Sequence, residues 1–277
     1  MRGKIYSINA GKYFIKGLDG EIHILPALGI FRHKNISPLV GDYVDFEEDK
    51  YLTKIYPRTN EFIRPKVANI NYIIIVMSSK EPEFSSFLVD KYMAFIECHN
   101  VEPILFITKS DLEKSKYKKM YDELGYKVYE IDNKEKKWIE NIRALFNNKC
   151  NVLMGQSGVG KTTIINTLTN NNFDTQAISK GANRGKHTTR IVQIVNVFDN
   201  GELIDTPGFS SLDINFTKVQ LAQSFRQFKE LSKICKFKDC LHMNEPENFC
   251  NVKLNVKNKI VPEFRYQNYL KLLNEVN

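Results

Sequence analysis

No stretch of this chain is apolar for long enough to cross a bilayer. The run at residues 69–77 has only the length of one buried strand, so no membrane association is expected. Internal repeats and low-complexity linkers are also missing, which excludes solenoids and long flexible tethers. Cysteine is scarce, five in 277 residues, and the odd count argues against a disulfide framework. No secretory leader opens the sequence, and these absences together point to a cytoplasmic protein. Acidic residues are outnumbered, 32 against 40 Lys and Arg, leaving a formal charge of +8 dispersed along the chain. That excess favours a polyanionic partner without naming it.

What is present begins with a phosphate loop. Residues 151–154 read as a short buried strand, and residues 162–168 read as the start of a helix. Between them stands Gly155-Gln156-Ser157-Gly158-Val159-Gly160-Lys161-Thr162, with Thr163 next. A loop so placed turns backbone N–H groups inward and aims a helix N-terminus at the same point, which favours an anion. Gly155 and Gly160 allow a close backbone approach that a side chain would block. Lys161 reaches the β- and γ-phosphates, and the Thr162 hydroxyl can ligate magnesium.

The loop alone does not choose between ATP and GTP. Upstream of it, the apolar run 103–107 reads as a core strand and leads into Thr108-Lys109-Ser110-Asp111. The Asp111 carboxylate can accept from guanine N1–H and the 2-amino group, whereas adenine offers an acceptor at N1 and no such amino group. The stem of Lys109 would cover the base plane. Thr108 stands where asparagine is common, and its hydroxyl can make only part of the contacts of an amide. A competing reading has Lys109-Ser110-Asp111 cap a following helix, which would leave a P-loop kinase or ATPase. A scaffold with a vestigial pocket is a third reading, disfavoured by the intact Lys161, Thr162 and Asp205. The element that supports the guanine carbonyl is expected after the strand at 126–131, but residues 130–133 do not carry its usual form.

Downstream, a strand at 201–204 ends in Asp205-Thr206-Pro207-Gly208. Asp205 can hold magnesium through water. The Gly208 N–H can meet the γ-phosphate only while that phosphate is present. A preceding strand at 191–198 is joined to it by Asp199-Asn200-Gly201, a hairpin signal. Residues 180–190 are glycine-rich, basic and aperiodic, and read as a switch segment. There Thr188 or Thr189 could close on the magnesium. His187, the one histidine of that segment, is the candidate for orienting or deprotonating the attacking water.

Near the C-terminus, Cys235, Cys240, His242 and Cys250 lie within sixteen residues of one another. Three thiolates and an imidazole make a closed tetrahedral zinc set with no open position, hence structural rather than catalytic. The bland alternative is three small buried hydrophobes. Cys98 and Cys150, in apolar contexts, read as core.

The base-reading motif preceding the phosphate loop inverts the usual order. With Asp205-Thr206-Pro207-Gly208 and Arg184-Gly185-Lys186-His187-Thr188-Thr189, the chain resembles the RsgA family of circularly permuted ribosome-biogenesis GTPases. The zinc spacing matches that family. At the other end, short alternating runs at 4–8, 12–15, 21–25, 43–47 and 51–56 suggest a small β-barrel. The resemblance makes it an oligonucleotide-binding (OB) barrel. Tyr13, Phe14 and Phe31 read as its core rather than as stacking surface.

The expected organisation is therefore an OB-type β-barrel at 1–62, a circularly permuted α/β P-loop GTPase domain at 63–212, and a helical zinc-binding module at 213–277. The resemblance further implies a monomeric GTP hydrolase that binds the small (30S) ribosomal subunit and its 16S rRNA late in maturation. Zn2+ would be structural, one per chain, and Mg2+ would accompany GTP. Nucleotide state would control binding and release, and turnover would be slow until the subunit stimulates it.

Overall fold

A computed structural model describes residues 1–29, 31, 36–63, 65–132, 134–169, 192–205 and 216–276. The five N-terminal runs fold as β1 (Arg2–Asn9), β2 (Lys12–Gly17), β3 (Ile22–Pro26), β4 (Tyr43–Glu47) and β5 (Tyr51–Ile55). Their alternation puts Ile5, Ile15, Leu25, Val44, Phe46 and Leu52 on one face, where they cluster with Phe31. β1 pairs with both β2 and β4, so the sheet curls around that cluster. Irregular register after Ile5 in β1 and after Asp45 in β4 sharpens the curl. Tyr13 packs against the same cluster, half-buried.

A short hairpin, β6 (Glu61–Phe62) with β7 (Val67–Ala68), leads into the α/β domain. There follow β8 (Tyr72–Ser78), α1 (Ser86–Cys98), β9 (Glu102–Thr108), α2 (Tyr117–Glu123), β10 (Lys127–Ile131) and α3 (Trp138–Ile142). The back half supplies β11 (Cys150–Met154), α4 (Lys161–Thr169), β12 (Gln193–Val197) and β13 (Gly201–Asp205). The sheet order is β10-β9-β8-β11-β13-β12, parallel as far as β13, with β12 returning antiparallel through the Asp199-Asn200 turn. Parallel strands covered on both sides need continuous apolar runs, and Ile73-Ile74-Ile75-Val76-Met77 is fully buried. Ile74, Val76, Ile104, Phe106 and Leu153 pack on Trp138, Ile142, Ile164 and Leu168 of α3 and α4. On the opposite face Ile75, Met77, Leu105 and Met154 share a core with Val89, Met93 and Ile96 of α1.

The C-terminal helices are α5 (Lys218–Ala222), α6 (Arg226–Ser232), α7 (Asn251–Lys257) and α8 (Glu263–Glu275). Thr217 opens α5 with a reciprocal capping box to Gln220. Phe225, Phe228, Tyr269, Leu272 and Leu273 continue the core that α1 begins. An ion pair crosses the same contact: Arg265 Nη1 of α8 lies 3.2 Å from Asp90 Oδ1 of α1, both side chains wholly buried. Asn268 donates to the other carboxylate oxygen at 2.7 Å, and Tyr121 donates to the first at 3.2 Å. Nearby, Arg226 is paired with Glu97 of α1.

At the other side the sheet runs on into the barrel, because β1 pairs with β12 at Ser7 and Gln193. Lys4 of β1 pairs there with Glu202 of β13, and Tyr6 donates to the same carboxylate at 2.7 Å. Cys150 is buried, as the sequence suggests, whereas Cys98 is half-buried at the end of α1. Among the described residues no helix is long and apolar enough to cross a membrane.

Candidate nucleotide site and candidate metal centre

In a parallel sheet every strand ends at the same edge, so the C-terminal ends of β8, β9, β11 and β13 meet there. Ser78 stands opposite Thr108, Met154 opposite Ile75, and Val152 opposite Ile204. The loop 155–160 joins β11 to α4 at this edge. A Cβ on Gly155 would lie 2.2 Å from the Val76 carbonyl oxygen, so no side chain fits. Gly160 has φ +100°, a left-handed conformation suited to glycine. Gln156 and Gly160 are half-buried, Val159 is buried, and Ser157, Gly158, Thr162 and Thr163 are exposed. The Lys161 ammonium folds onto the loop, donating to the carbonyls of Gly155 at 2.7 Å and Gln156 at 2.5 Å. Burial lowers its pKa, so an arriving anion would relieve an uncompensated charge. Asp205, the last residue of β13, is half-buried at the same edge.

The segment 108–111 meets this loop directly. Thr108 is 1% exposed, and its hydroxyl donates to the Val159 carbonyl at 2.6 Å. The short hydroxyl thus performs the loop-bracing part of the work that an amide would do. Lys109 adopts φ +57°, uncommon for a residue with a side chain. Ser79 donates its hydroxyl to the Lys109 carbonyl at 2.7 Å, and the Lys109 ammonium donates to the Glu81 carbonyl. Ser110 and Asp111 lie in the turn after β9, and the Asp111 side chain is 13% exposed, with Oδ2 3.2 Å from Lys134 Nζ. The next helix, α2, has Lys116 at its cap and no side-chain cap bond, so Asp111 does not cap it. That removes the ground for the kinase or ATPase alternative.

Replacing Thr108 by valine keeps the shape but leaves the Val159 carbonyl without its partner. The expected result is roughly ten-fold weaker GDP binding in a calorimetric titration, the weight of one unsatisfied buried acceptor. Affinity equal to wild type would show that the brace is dispensable.

Sequence reasoning missed Ser79, Glu81 and Lys134. One signal was available: each follows the apolar run of a parallel strand, where polar residues face the ligand edge. His187, Thr188, Thr189 and Gly208 lie outside the described residues, as do residues 209–215.

The second cluster forms beyond α6. Cys235, Cys240, His242 and Cys250 place their sulfur and ring nitrogen atoms within 4.8 Å of one another. His242 Nδ1 lies 3.3 Å from Cys250 Sγ and 3.9 Å from Cys235 Sγ. Burial pushes the His242 pKa down to about 4, which keeps the imidazole neutral and able to ligate. Burial also raises the Cys240 and Cys250 thiols, whose ionisation then needs a cation. Backbone N–H groups of Asn251 and Lys253 point at Cys235 Sγ and Cys250 Sγ, at 3.3 and 3.5 Å, as outer partners of ligating sulfur do. The donor set fits a tetrahedral metal, and no disulfide competes for it.

Comparison with known proteins gives consistent matches. The family model described as RsgA GTPase matches residues 55–215, and that described as RsgA N-terminal domain matches residues 2–52. The small ribosomal subunit biogenesis GTPase RsgA of Mycoplasmopsis agalactiae is 73% identical over 276 residues, covering 100% of this chain and 98% of that protein. Its namesake from Mycoplasmopsis pulmonis is 45% identical, with 100% of both chains covered. Among solved structures, YloQ, described as a circularly permuted GTPase, superposes with a TM-score of 0.81 at 33% identity, covering 99% of this chain and 94% of that one. YjeQ from Thermotoga maritima gives 0.82 at 29% identity, covering 99% and 98%.

Proposed function

This chain belongs to the RsgA GTPase family and is a GTP hydrolase, and from that premise we propose that it binds the small (30S) ribosomal subunit and assists its late maturation. The observation that carries the site is the Thr108–Val159 contact, which brings the front-half base reader and the back-half phosphate loop to one sheet edge. In this reading Asp111, Lys109, Ser110 and Thr108 surround the guanine, and residues 155–163 with Gly208 hold the phosphates. Thr162, Asp205 and either Thr188 or Thr189 hold magnesium, which when bound would neutralise charge developing on the phosphates. His187 orients the attacking water. Phe209 follows Gly208, where other GTPases place a water-orienting glutamine, so turnover is slow until the subunit stimulates it.

The three divisions at 1–62, 63–212 and 213–277 act as RNA-binding barrel, GTPase domain and zinc module, in a cytoplasmic monomer. Cys235, Cys240, His242 and Cys250 hold one structural zinc. The 16S rRNA is the polyanion that the +8 charge attracts. Loss of the γ-phosphate releases the turn after Asp205, and that turn leads directly into the module built on α5 to α8. GTP therefore holds a geometry that fits the subunit, and hydrolysis frees the protein.

Pelleting at fixed salt should recover small subunits with the protein in the presence of a non-hydrolysable GTP analogue, and far less with GDP. The hydrolysis rate should rise with small subunits and not with large ones. Equal occupancy in both nucleotide states would remove the switch, and equal stimulation by both subunits would remove the partner.

A further inference from the structure

We infer that Lys134 reads the guanine carbonyl, donating to O6 while Asp111 accepts from N1–H beside it. This rests on the base site proposed above. Lys134 Nζ stands 3.2 Å from Asp111 Oδ2, an ammonium and a carboxylate side by side past the ends of β9 and β10. Guanine presents an acceptor at O6 next to a donor at N1. Adenine presents the reverse, an amino donor at position 6 and an acceptor at N1. A paired cation and anion therefore match guanine at both atoms and mismatch adenine at both.

The backbone around Lys134 is held in place for this role. The Lys127–Ile131 strand runs parallel to β9 with Ile131 opposite Thr108, so the segment after it emerges beside Asp111. Asp132 Oδ1 accepts the N–H groups of Lys134 at 2.7 Å and Glu135 at 3.1 Å, closing a tight turn. The Asp132 carbonyl accepts from the buried Trp138 indole at 2.8 Å, which ties that turn to the core. Lys109, the other lysine at the base, is committed elsewhere, because its ammonium donates to the Glu81 carbonyl.

An exposed lysine–carboxylate pair usually contributes little to stability. Here the two partners differ: the Asp111 side chain is 13% exposed and the Lys134 side chain 74%. The acceptor is fixed and the donor is free to swing from the carboxylate to a base seated next to it. This gives the guanine carbonyl a side-chain donor from the segment after β10, where residues 130–133 lack the usual Ser-Ala form.

Equilibrium binding of GDP and 6-thio-GDP to the full-length protein tests the assignment. The thio analogue keeps N1–H and the 2-amino group but weakens the acceptor at position 6. Wild type should prefer GDP by about ten-fold, the weight of one charge-assisted hydrogen bond. Lys134→Met should weaken GDP by about that factor and leave 6-thio-GDP within about two-fold, abolishing the preference. Lys134→Arg should retain most of it. An undiminished preference in Lys134→Met overturns the assignment. Asp111→Asn, measured alongside, separates the two levels. If it binds GDP like wild type, the base site itself is misplaced. If it loses GDP while Lys134→Met keeps its preference, only the lysine's role falls.

Discussion

Lys161→Ala is expected to lower GTP hydrolysis at least about a hundred-fold, the cost of removing a preorganised donor at developing charge. Stability should hold, because the ammonium's hydrogen bonds go to the carbonyls of Gly155 and Gln156 in its own loop. A substitution of that kind normally shifts folding by about half a kcal/mol either way. Its charge is already disfavoured by burial in the absence of an anion, so removal relieves the empty site as much as it harms it. With triphosphate in the proposed site the balance should reverse, since there the Lys161 ammonium would reach the β- and γ-phosphates. Phosphate release under saturating GTP, paired with a thermal melt, separates the two effects. Undiminished turnover with an unchanged melt would remove Lys161 from the phosphate site.

Cys250→Ser is expected to release the bound metal and to lower the melting temperature by about 10 °C. Structural zinc contributes roughly 10–16 kcal/mol of apparent binding free energy in small domains, far more than one side chain does by packing. A net loss of about 3 kcal/mol in a chain this size corresponds to that shift. The serine is a stringent choice, because Cys250 also caps α7, accepting the Lys253 N–H. A hydroxyl can keep the cap, so the loss measured is that of a metal ligand. The effect should spread beyond the module, since Phe228 and Tyr269 next to the cluster belong to the core that α1 shares. Metal content by elemental analysis, before and after substitution, provides the check. Cys98→Ser, outside the cluster, should leave one metal per chain. Full metal content in the Cys250 variant would rule out the four-ligand set.

What was legible in the sequence was local. Alternation marked all five barrel strands, and the short apolar runs 69–77 and 103–107 marked β8 and β9, because the period of a strand is carried by adjacent residues. The Cys3His cluster, which could hold a metal, was equally plain, with its four members inside one short segment. The hairpin β6–β7, two residues on each side, was too short to leave a pattern. Contacts joining distant parts of the chain left none either. The Thr108 hydroxyl's hold on Val159, the Asp90–Arg265 pair and the Lys134–Asp111 pair each join residues that no spacing rule connects. The threonine is instructive: judged by type alone it lacked an amide's reach, but the neighbouring carbonyl came to it.

The barrel's hold on Glu202 restricts how this enzyme can be dissected. Excising the first sixty or so residues would remove the residue pair, Ser7 with Gln193, that joins β12 to the barrel. It would also withdraw the ammonium of Lys4 and the phenol of Tyr6 from a carboxylate three residues short of Asp205, on the same strand. An orphaned acid there would disturb the strand that ends at Asp205, the aspartate proposed to face magnesium. A trimmed catalytic fragment would therefore report on its own wound rather than on the intact machine.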